Sequence, residues 1–129
     1  MARVLVIDDD DLFRSVLAAN LASAGHVVEQ AEDGRVGTAR FRAEPADLVI
    51  TDLVMPNQEG IETILTLKRE FPGVRLIAMS GFARNSALYL ELARSLGATR
   101  VLEKPFTAQQ LLEAVAAALA TPGPDATRK

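Results

Sequence analysis

The sequence predicts an α/β fold, a doubly wound five-stranded parallel sheet with helices on both faces. Short apolar runs alternate with segments of helical periodicity along the chain, and strict strand–helix alternation is typical of a parallel sheet covered on both sides. The first run, Val4–Ile7, is apolar without any polar alternation. Such a run indicates a strand that is buried on both faces.

The remaining strands follow the same pattern of short runs. In chain order we predict strands at Arg3–Ile7, Val27–Gln30, Leu48–Thr51, Val74–Met79 and Arg100–Leu102. Five strand–helix units of this length fit the flavodoxin-like strand order 2-1-3-4-5. Ligands of such sheets bind outside the carboxyl ends of the strands, so functional residues are expected there.

Helical stripes lie between and after the strands. Their apolar positions are Phe13, Leu17, Leu21 and Ala24; Ile61, Ile64, Leu65 and Phe71; Leu88, Leu92 and Leu96; and Leu112, Val115 and Leu119. Thr107 is a good N-cap for the last helix, which we expect to end near Ala120. The segment Gly34–Ala43 is the weakest helix prediction, because Gly37 costs about 1 kcal/mol relative to alanine.

Composition limits the class of protein. The 129 residues are 49% apolar and 24% charged, as in one globular domain. We expect this domain to cover residues 1–120 and the proline-containing tail 121–129 to be disordered. The absence of cysteine excludes disulfides, thiol catalysis and zinc–thiolate sites.

Charge and hydropathy restrict partners and location. The net charge of −3, without a run of Lys and Arg, argues against a direct nucleic-acid surface. The sequence shows neither a signal-peptide core nor an apolar segment long enough to span a membrane. We therefore expect a cytoplasmic protein with no membrane partner.

Polar side chains stand at four of the five predicted strand ends. Asp8 and Asp9 follow the first strand, Asp52 the third, Ser80 the fourth and Lys104 the fifth. Because the carboxyl ends of parallel strands meet at one edge of the sheet, these groups should converge on one pocket.

Four consecutive aspartates, Asp8–Asp11, follow the first strand. Close carboxylates repel by roughly 4 kcal/mol per pair at an effective dielectric constant near 20. Asp10 and Asp11 are interpreted as complementing the positive end of the next helix. The cluster is too acidic for capping alone, so Asp8 and Asp9 are interpreted as ligands of a divalent cation. An oxygen-only ligand set suits Mg²⁺.

The pattern at the strand ends fits phosphoryl transfer. Asp52 is ionised at pH 7 and can attack phosphorus without a general base, while Mg²⁺ would join its other oxygen to the phosphoryl group. Lys104 offers a positive charge to the phosphate oxygens, and Ser80 offers a hydroxyl donor. Taken singly, Ser80 and Lys104 would be read as ordinary loop residues.

Four motifs now stand in order, VLVIDDD, TDLVMPNQEG, LIAMSG and EKPF. Together they resemble the receiver domain of bacterial two-component response regulators over about residues 2–120. The resemblance implies a Mg²⁺-dependent phosphorylation switch with Asp52 as the phospho-acceptor. It further implies that Asp8, Asp9, Asp52 and the backbone carbonyl of Val54 hold the metal, that Ser80 is the switch hydroxyl, and that Lys104 pairs with the phosphate.

The resemblance has further implications. It implies a cis bond between Lys104 and Pro105, and switching through the fourth helix, fifth strand and fifth helix. The only histidine, His26, is expected on the surface in a turn, so the phosphodonor histidine should belong to a histidine kinase or histidine phosphotransfer protein. With no output domain in the sequence, the switch should act on a separate, unknown protein in a two-component system or phosphorelay. Val101 departs from the family, which usually has Tyr or Phe three positions before the lysine.

Two other classes of function remain. Asp8 and Asp10 have the two-residue spacing of aspartate-nucleophile phosphatases of the haloacid dehalogenase type, although no cap domain is evident. A receiver that binds partners without phosphate is the third alternative. In the favoured interpretation the chain catalyses its own phosphorylation and dephosphorylation and turns over no separate substrate.

Overall fold

Five strands and five helices alternate along the chain, as predicted. The computed structural model describes residues 1–53, 59–81 and 86–120. The elements are β1 Arg3–Ile7, α1 Asp11–Ser23, β2 Val27–Ala31, α2 Gly34–Ala43, β3 Leu48–Asp52, α3 Glu59–Glu70, β4 Leu76–Ser80, α4 Ser86–Ser95, β5 Arg100–Glu103 and α5 Ala108–Ala120.

The strands form one parallel sheet in the order β2-β1-β3-β4-β5. This confirms the predicted doubly wound topology. Strand β1 lies second from one edge, with Val4 opposite Val28 of β2 on one side and Leu48 of β3 on the other. Strands β1, β3 and β4 are almost wholly buried, which is why their sequences are continuously apolar.

Alternate side chains of each strand enter two separate cores. On one face, Val4 and Val6 of β1 pack with Leu17 and Leu21 of α1 and with Leu111 of α5. The opposite face is covered by α2, α3 and α4. There Leu5 and Ile7 pack in one cluster whose helical members include Phe41, Ile64 and Ala93.

Helix α2 confirms the weakest prediction, and its glycine has a packing role. A Cβ atom at Gly37 would lie 2.7 Å from Cγ1 of Ile7. Only glycine lets α2 approach β1 this closely, so the helix tolerates its unfavourable propensity.

The predicted start of β4 was two residues early. Val74 is buried, but its N–H donates to the carbonyl of Phe71 at 2.9 Å, closing the turn after α3. An apolar residue buried in a turn cannot be told from a strand residue by hydropathy. At the other end β4 continues to Ser80 and β3 to Asp52, one residue past each prediction.

One helical stripe is displaced from its predicted face. Leu88 and Leu92 are 68% and 44% exposed, and α4 packs through Tyr89, Leu90 and Ala93 instead, whereas Leu96, just after the helix, packs on the core as predicted. Leu65 of α3 and Ala24 at the end of α1 are also exposed. The apolar residues of a short helix can be assigned to more than one helical face, so their spacing alone does not determine which face is buried.

His26 is half-buried rather than on the open surface. Its Nδ1 accepts a hydrogen bond from the backbone N–H of Ala2 at 3.1 Å, which fixes the turn before β2 to the start of the chain. Among the described helices, none has the length and apolarity needed to cross a membrane. The predicted disordered tail, 121–129, lies outside the described residues.

Candidate functional site

The carboxyl edge of the sheet brings the predicted site residues together. Asp8 follows β1, Asp52 and Ser80 are the last residues of β3 and β4, and Lys104 follows β5. Carboxylate oxygens of Asp8, Asp9 and Asp52 all lie within 4.8 Å of one another. Val54, whose carbonyl the resemblance adds to this set, lies outside the described residues.

Asp8 is the deepest of the three acids. Its side chain is fully buried, and its Oδ1 accepts a hydrogen bond from the backbone N–H of Asp10 at 2.9 Å. Burial raises the pKa of Asp8 above its ordinary value of 3.8, although the Asp10 N–H and the charge of Lys104 oppose the rise. An ionised Asp8 is therefore held at an electrostatic cost that a cation can relieve.

Lys104 is the positive group of the pocket. Its Nζ lies 3.2 Å from Oδ2 of Asp8 and 3.6 Å from Oδ1 of Asp52, and its side chain is only 8% exposed. Its backbone N–H donates to the carbonyl of Ser80 at 2.7 Å, and the Lys104–Pro105 bond is cis, as the resemblance implies. Counting only the described site residues, the three ionised carboxylates carry three negative charges and Lys104 supplies one positive charge, an excess of two negative charges.

Ser80 contributes a buried hydroxyl at the same edge. Its Oγ has no hydrogen-bond partner among the residues that the structure describes. A buried hydroxyl without a partner costs free energy, and such groups are retained where a ligand supplies the missing bond. The orphaned hydroxyl fits an oxyanion arriving at Asp52.

The other two aspartates of the run have structural contacts. Asp10 is the N-cap of α1, and its side chain accepts from the N–H of Phe13 at 3.0 Å. Asp11 pairs with Arg14 at 2.8 Å, one helical turn away. These contacts agree with the capping interpretation and separate Asp10 from the carboxylate cluster, in contrast to the spacing argument for a phosphatase.

Three further residues contribute to the site in ways that the sequence did not predict. Arg14 donates to the carbonyl of Asp8 at 2.7 Å and so fixes the end of β1. A Cβ atom at Gly60 would overlap the Asp52 carbonyl and lie 2.5 Å from Cα of Leu53, so α3 sits directly on the end of β3. Phe13 lies beneath Lys104, with 4.2 Å between the ammonium and the ring centroid.

The donor set fits Mg²⁺. All three groups offer hard carboxylate oxygens, which this ion prefers. Their oxygens lie within 4.8 Å of one another, near the separations of about 3.0 Å between adjacent and about 4.2 Å between opposite ligands of an octahedral Mg²⁺. The excess of two negative charges among these described site residues equals the charge of a divalent cation. Asp8, Asp9 and Asp52 are therefore the residues that would hold it.

Comparison with known proteins agrees with this geometry. A family model of the response regulator receiver domain matches residues 4–116. The chain is 39% identical to the DNA-binding transcriptional regulator NtrC of Azospirillum brasilense over 127 residues, covering 97% of this chain but only 26% of that protein. It is 32% identical to the response regulator receiver protein CpdR of Brucella abortus, covering 89% of this chain and 94% of that one.

A solved structure shows the same fold. The receiver domain protein from Clostridium thermocellum superposes with a TM-score of 0.85 at 30% identity, over 92% of this chain and 94% of that one. The family match over most of the chain, the strand order and the acidic pocket agree with one another. The chain belongs to the response regulator receiver domain family, whose members are phosphorylation-dependent switches of two-component signalling.

Proposed function

We propose that this chain accepts a phosphoryl group on Asp52 from a phosphohistidine donor. The observation that carries the proposal is the convergence of Asp8, Asp9 and Asp52 within 4.8 Å, with Lys104 reaching two of these carboxylates. The domain that performs this function is proposed to cover residues 1–120. No observation favours the haloacid-dehalogenase alternative, because Asp10 is engaged in capping α1.

The proposed transfer needs no proton acceptor. An ionised oxygen of Asp52 forms the bond to phosphorus, the bond from phosphorus to the donor's imidazole nitrogen breaks, and the electron pair leaves with that nitrogen. Bound Mg²⁺, held by Asp8, Asp9, Asp52 and the proposed Val54 carbonyl, would neutralise charge on the phosphoryl oxygens.

Two further side chains act on the arriving group. Lys104 already lies 3.6 Å from Asp52, so its ammonium can pair with a phosphoryl oxygen attached there. The buried hydroxyl of Ser80 would donate the hydrogen bond that it lacks among the described residues. The movement of Ser80 toward the phosphoryl group would carry the change to the start of α4.

The partners are a histidine kinase or histidine phosphotransfer protein as donor and a separate protein as target. Signalling through α4, β5 and α5 is supported by the exposed apolar side chains of Leu88 and Leu92 and by the free edge of β5. A cytoplasmic location and the absence of direct nucleic-acid binding stay predictions.

Intact-mass measurement with acetyl phosphate and Mg²⁺ tests the proposal. We expect one added phosphoryl group in the wild-type chain and in the control Asp47→Asn, an exposed aspartate before β3. Asp52→Asn should add none, and equal labelling of that variant would contradict the assignment of Asp52. Steady release of inorganic phosphate that persists in Asp52→Asn would instead indicate a phosphatase, and no reaction would indicate a phosphate-independent binding module.

A further inference from the structure

Lys104 contacts the uncharged aromatic ring of Phe13 in addition to its carboxylate partners. Its ammonium stands 4.2 Å from the centroid of the Phe13 ring, and its side chain is almost fully excluded from water. The face of an aromatic ring attracts a cation through the ring quadrupole, and this attraction strengthens when water is excluded. The lysine is thus held from two sides, by carboxylates and by a ring.

The backbone and the ring of Phe13 are each held by a separate contact. The backbone N–H of Phe13 donates to the capping side chain of Asp10 at 3.0 Å, which ties it to the aspartate run. Its ring packs edge-on against Phe106, with centroids 5.7 Å apart and planes at 80°. Phe106 follows Lys104 by two positions, so the first turn of α1 is fixed to the segment that carries the lysine.

The two kinds of partner respond differently to a metal. The carboxylates of Asp8 and Asp52 attract Lys104, but the same carboxylates would hold Mg²⁺, and a divalent cation repels an ammonium. The ring of Phe13 does not bind the metal, so its attraction for the Lys104 ammonium is kept when the metal binds. A long flexible lysine without this contact would be free to extend into solvent.

We infer that Phe13 is a positioning residue whose ring face holds the Lys104 ammonium at the carboxylate cluster while those carboxylates bind a metal. The inference rests on the proposed function, since the role of Lys104 is to pair with the phosphoryl group on Asp52. Phe13 touches neither that group nor the metal. It acts through Lys104.

A fluorination series tests the electrostatic origin of this role. Site-specific replacement of Phe13 by mono-, di- and trifluorophenylalanine lowers the negative electrostatic potential of the ring face and changes the shape of the ring very little. With acetyl phosphate and Mg²⁺, we expect the logarithm of the labelling rate to fall with each fluorine, while Phe13→Leu slows labelling between about twofold and thirtyfold. The same series at Phe41, which packs edge-on against Phe71 in the opposite core, is the matched control.

Lysine NMR gives a readout that does not depend on activity. The chain contains only Lys68, Lys104 and Lys129, so the ε-CH₂ signals are few, and Lys104→Arg identifies the signal of Lys104. We expect that signal to be shifted upfield by the ring in wild type, with and without Mg²⁺, and to lose the shift in Phe13→Leu.

The outcomes separate the two proposals. A falling rate at position 13 with no change at position 41, together with the upfield signal, supports the inference. An unshifted Lys104 signal in wild type overturns the inference about Phe13. A labelling rate that does not change with fluorination at position 13 also overturns it. A wild-type chain that takes no phosphoryl group contradicts the proposed function, and the Lys104 signal then still decides whether Phe13 holds the lysine.

Discussion

The ammonium of Lys104 lies 3.2 Å from Oδ2 of Asp8, although the two residues are 96 positions apart in the chain. The bond joins the end of β5 to the end of β1 across β3 and β4, which lie between them in the sheet. The pocket is therefore complete only when four strands are in register. The charged groups of the pocket therefore come together only in the folded chain.

Asp8→Asn should stabilise the chain at neutral pH in the absence of Mg²⁺. Because burial raises the folded-state pKa of Asp8, the folded chain binds this proton more tightly than the unfolded chain does. Stability then falls as the pH rises from the ordinary value of 3.8 through the raised one. Thermal unfolding should show a melting temperature above that of wild type at pH 7, with the difference shrinking as the pH falls toward 3.8.

The control for this prediction is Glu113→Gln, an exposed acid on α5. It should leave the melting temperature unchanged at both pH values. A melting temperature of Asp8→Asn equal to or below that of wild type at pH 7 would show that the contacts of Asp8 with Lys104 and the Asp10 N–H outweigh its burial.

Mg²⁺ should raise the melting temperature of wild type more than that of Asp9→Ala. Asp9 belongs to the carboxylate cluster yet is exposed, so its removal weakens metal binding without opening the core. A ligand at a hundredfold excess over its dissociation constant stabilises a fold by about 2.7 kcal/mol. Asp11→Ala, which removes an exposed acid paired with Arg14, should keep the wild-type shift. Equal shifts in wild type and Asp9→Ala would place the ion elsewhere.

Ser80→Ala should not destabilise the chain. It should abolish the conformational response to phosphorylation while Asp52 is still phosphorylated. Removing a buried hydroxyl that has no partner among the described residues is expected to change the free energy of unfolding by roughly +1 kcal/mol or less, in the stabilising direction. Asp52 should still be labelled. Hydrogen exchange should show that the phosphorylation-dependent change over residues 86–92, which wild type displays, is lost in Ser80→Ala.

Ser80→Thr keeps the hydroxyl and is the matched control, in which the exchange response should persist. A full response in Ser80→Ala would remove Ser80 from the signalling route. Chemical denaturation measures the stability part of the prediction separately, so a folding defect cannot be mistaken for uncoupling.

Leu12→Ser should slow phosphotransfer from a protein donor. Leu12 and Val16 are 76% and 50% exposed and lie one turn apart on α1, which begins two residues after Asp9. A donor histidine can reach Asp52 only if its protein covers the rim of the pocket, and burying one leucine contributes about 1.5–3 kcal/mol. We expect at least a tenfold lower rate with a histidine phosphotransfer protein that labels wild type, and normal labelling with acetyl phosphate.

Leu65→Ser removes another exposed leucine, on α3, and should transfer at the wild-type rate. If Leu12→Ser transferred as fast as Leu65→Ser, the donor would approach the pocket over a different surface.

Local sequence was sufficient for the elements and for most of the pocket. Apolar runs define buried strands wherever both faces are covered, and in a parallel sheet the residue after such a run stands at the functional edge. This is why Asp8, Asp52 and Lys104 could be predicted as site residues from the sequence. The buried face of α4 could not be predicted in this way. Its ten residues include three leucines, one tyrosine and two alanines, so the helix offers several apolar faces and only tertiary packing selects one.

Contacts between distant residues could not be predicted in the same way. Phe13 fits its helical stripe as an ordinary core residue, and nothing local indicates that a lysine 91 positions later lies over its ring. Gly60 resembles any turn glycine until the approach of α3 to the end of β3 is visible. The capping aspartates were predictable because their partners lie within one helical turn.

The position of β2 at the far edge of the sheet has a practical consequence for labelling experiments. None of the proposed pocket residues follows β2, and the chain has no cysteine of its own. A single cysteine introduced at Ala39, exposed on the neighbouring α2, would be a unique attachment point for a dye or a surface tether. A reporter carried there would leave both the carboxyl edge and α4 accessible, so arrival of the donor and departure of the signal could be timed on the same molecule.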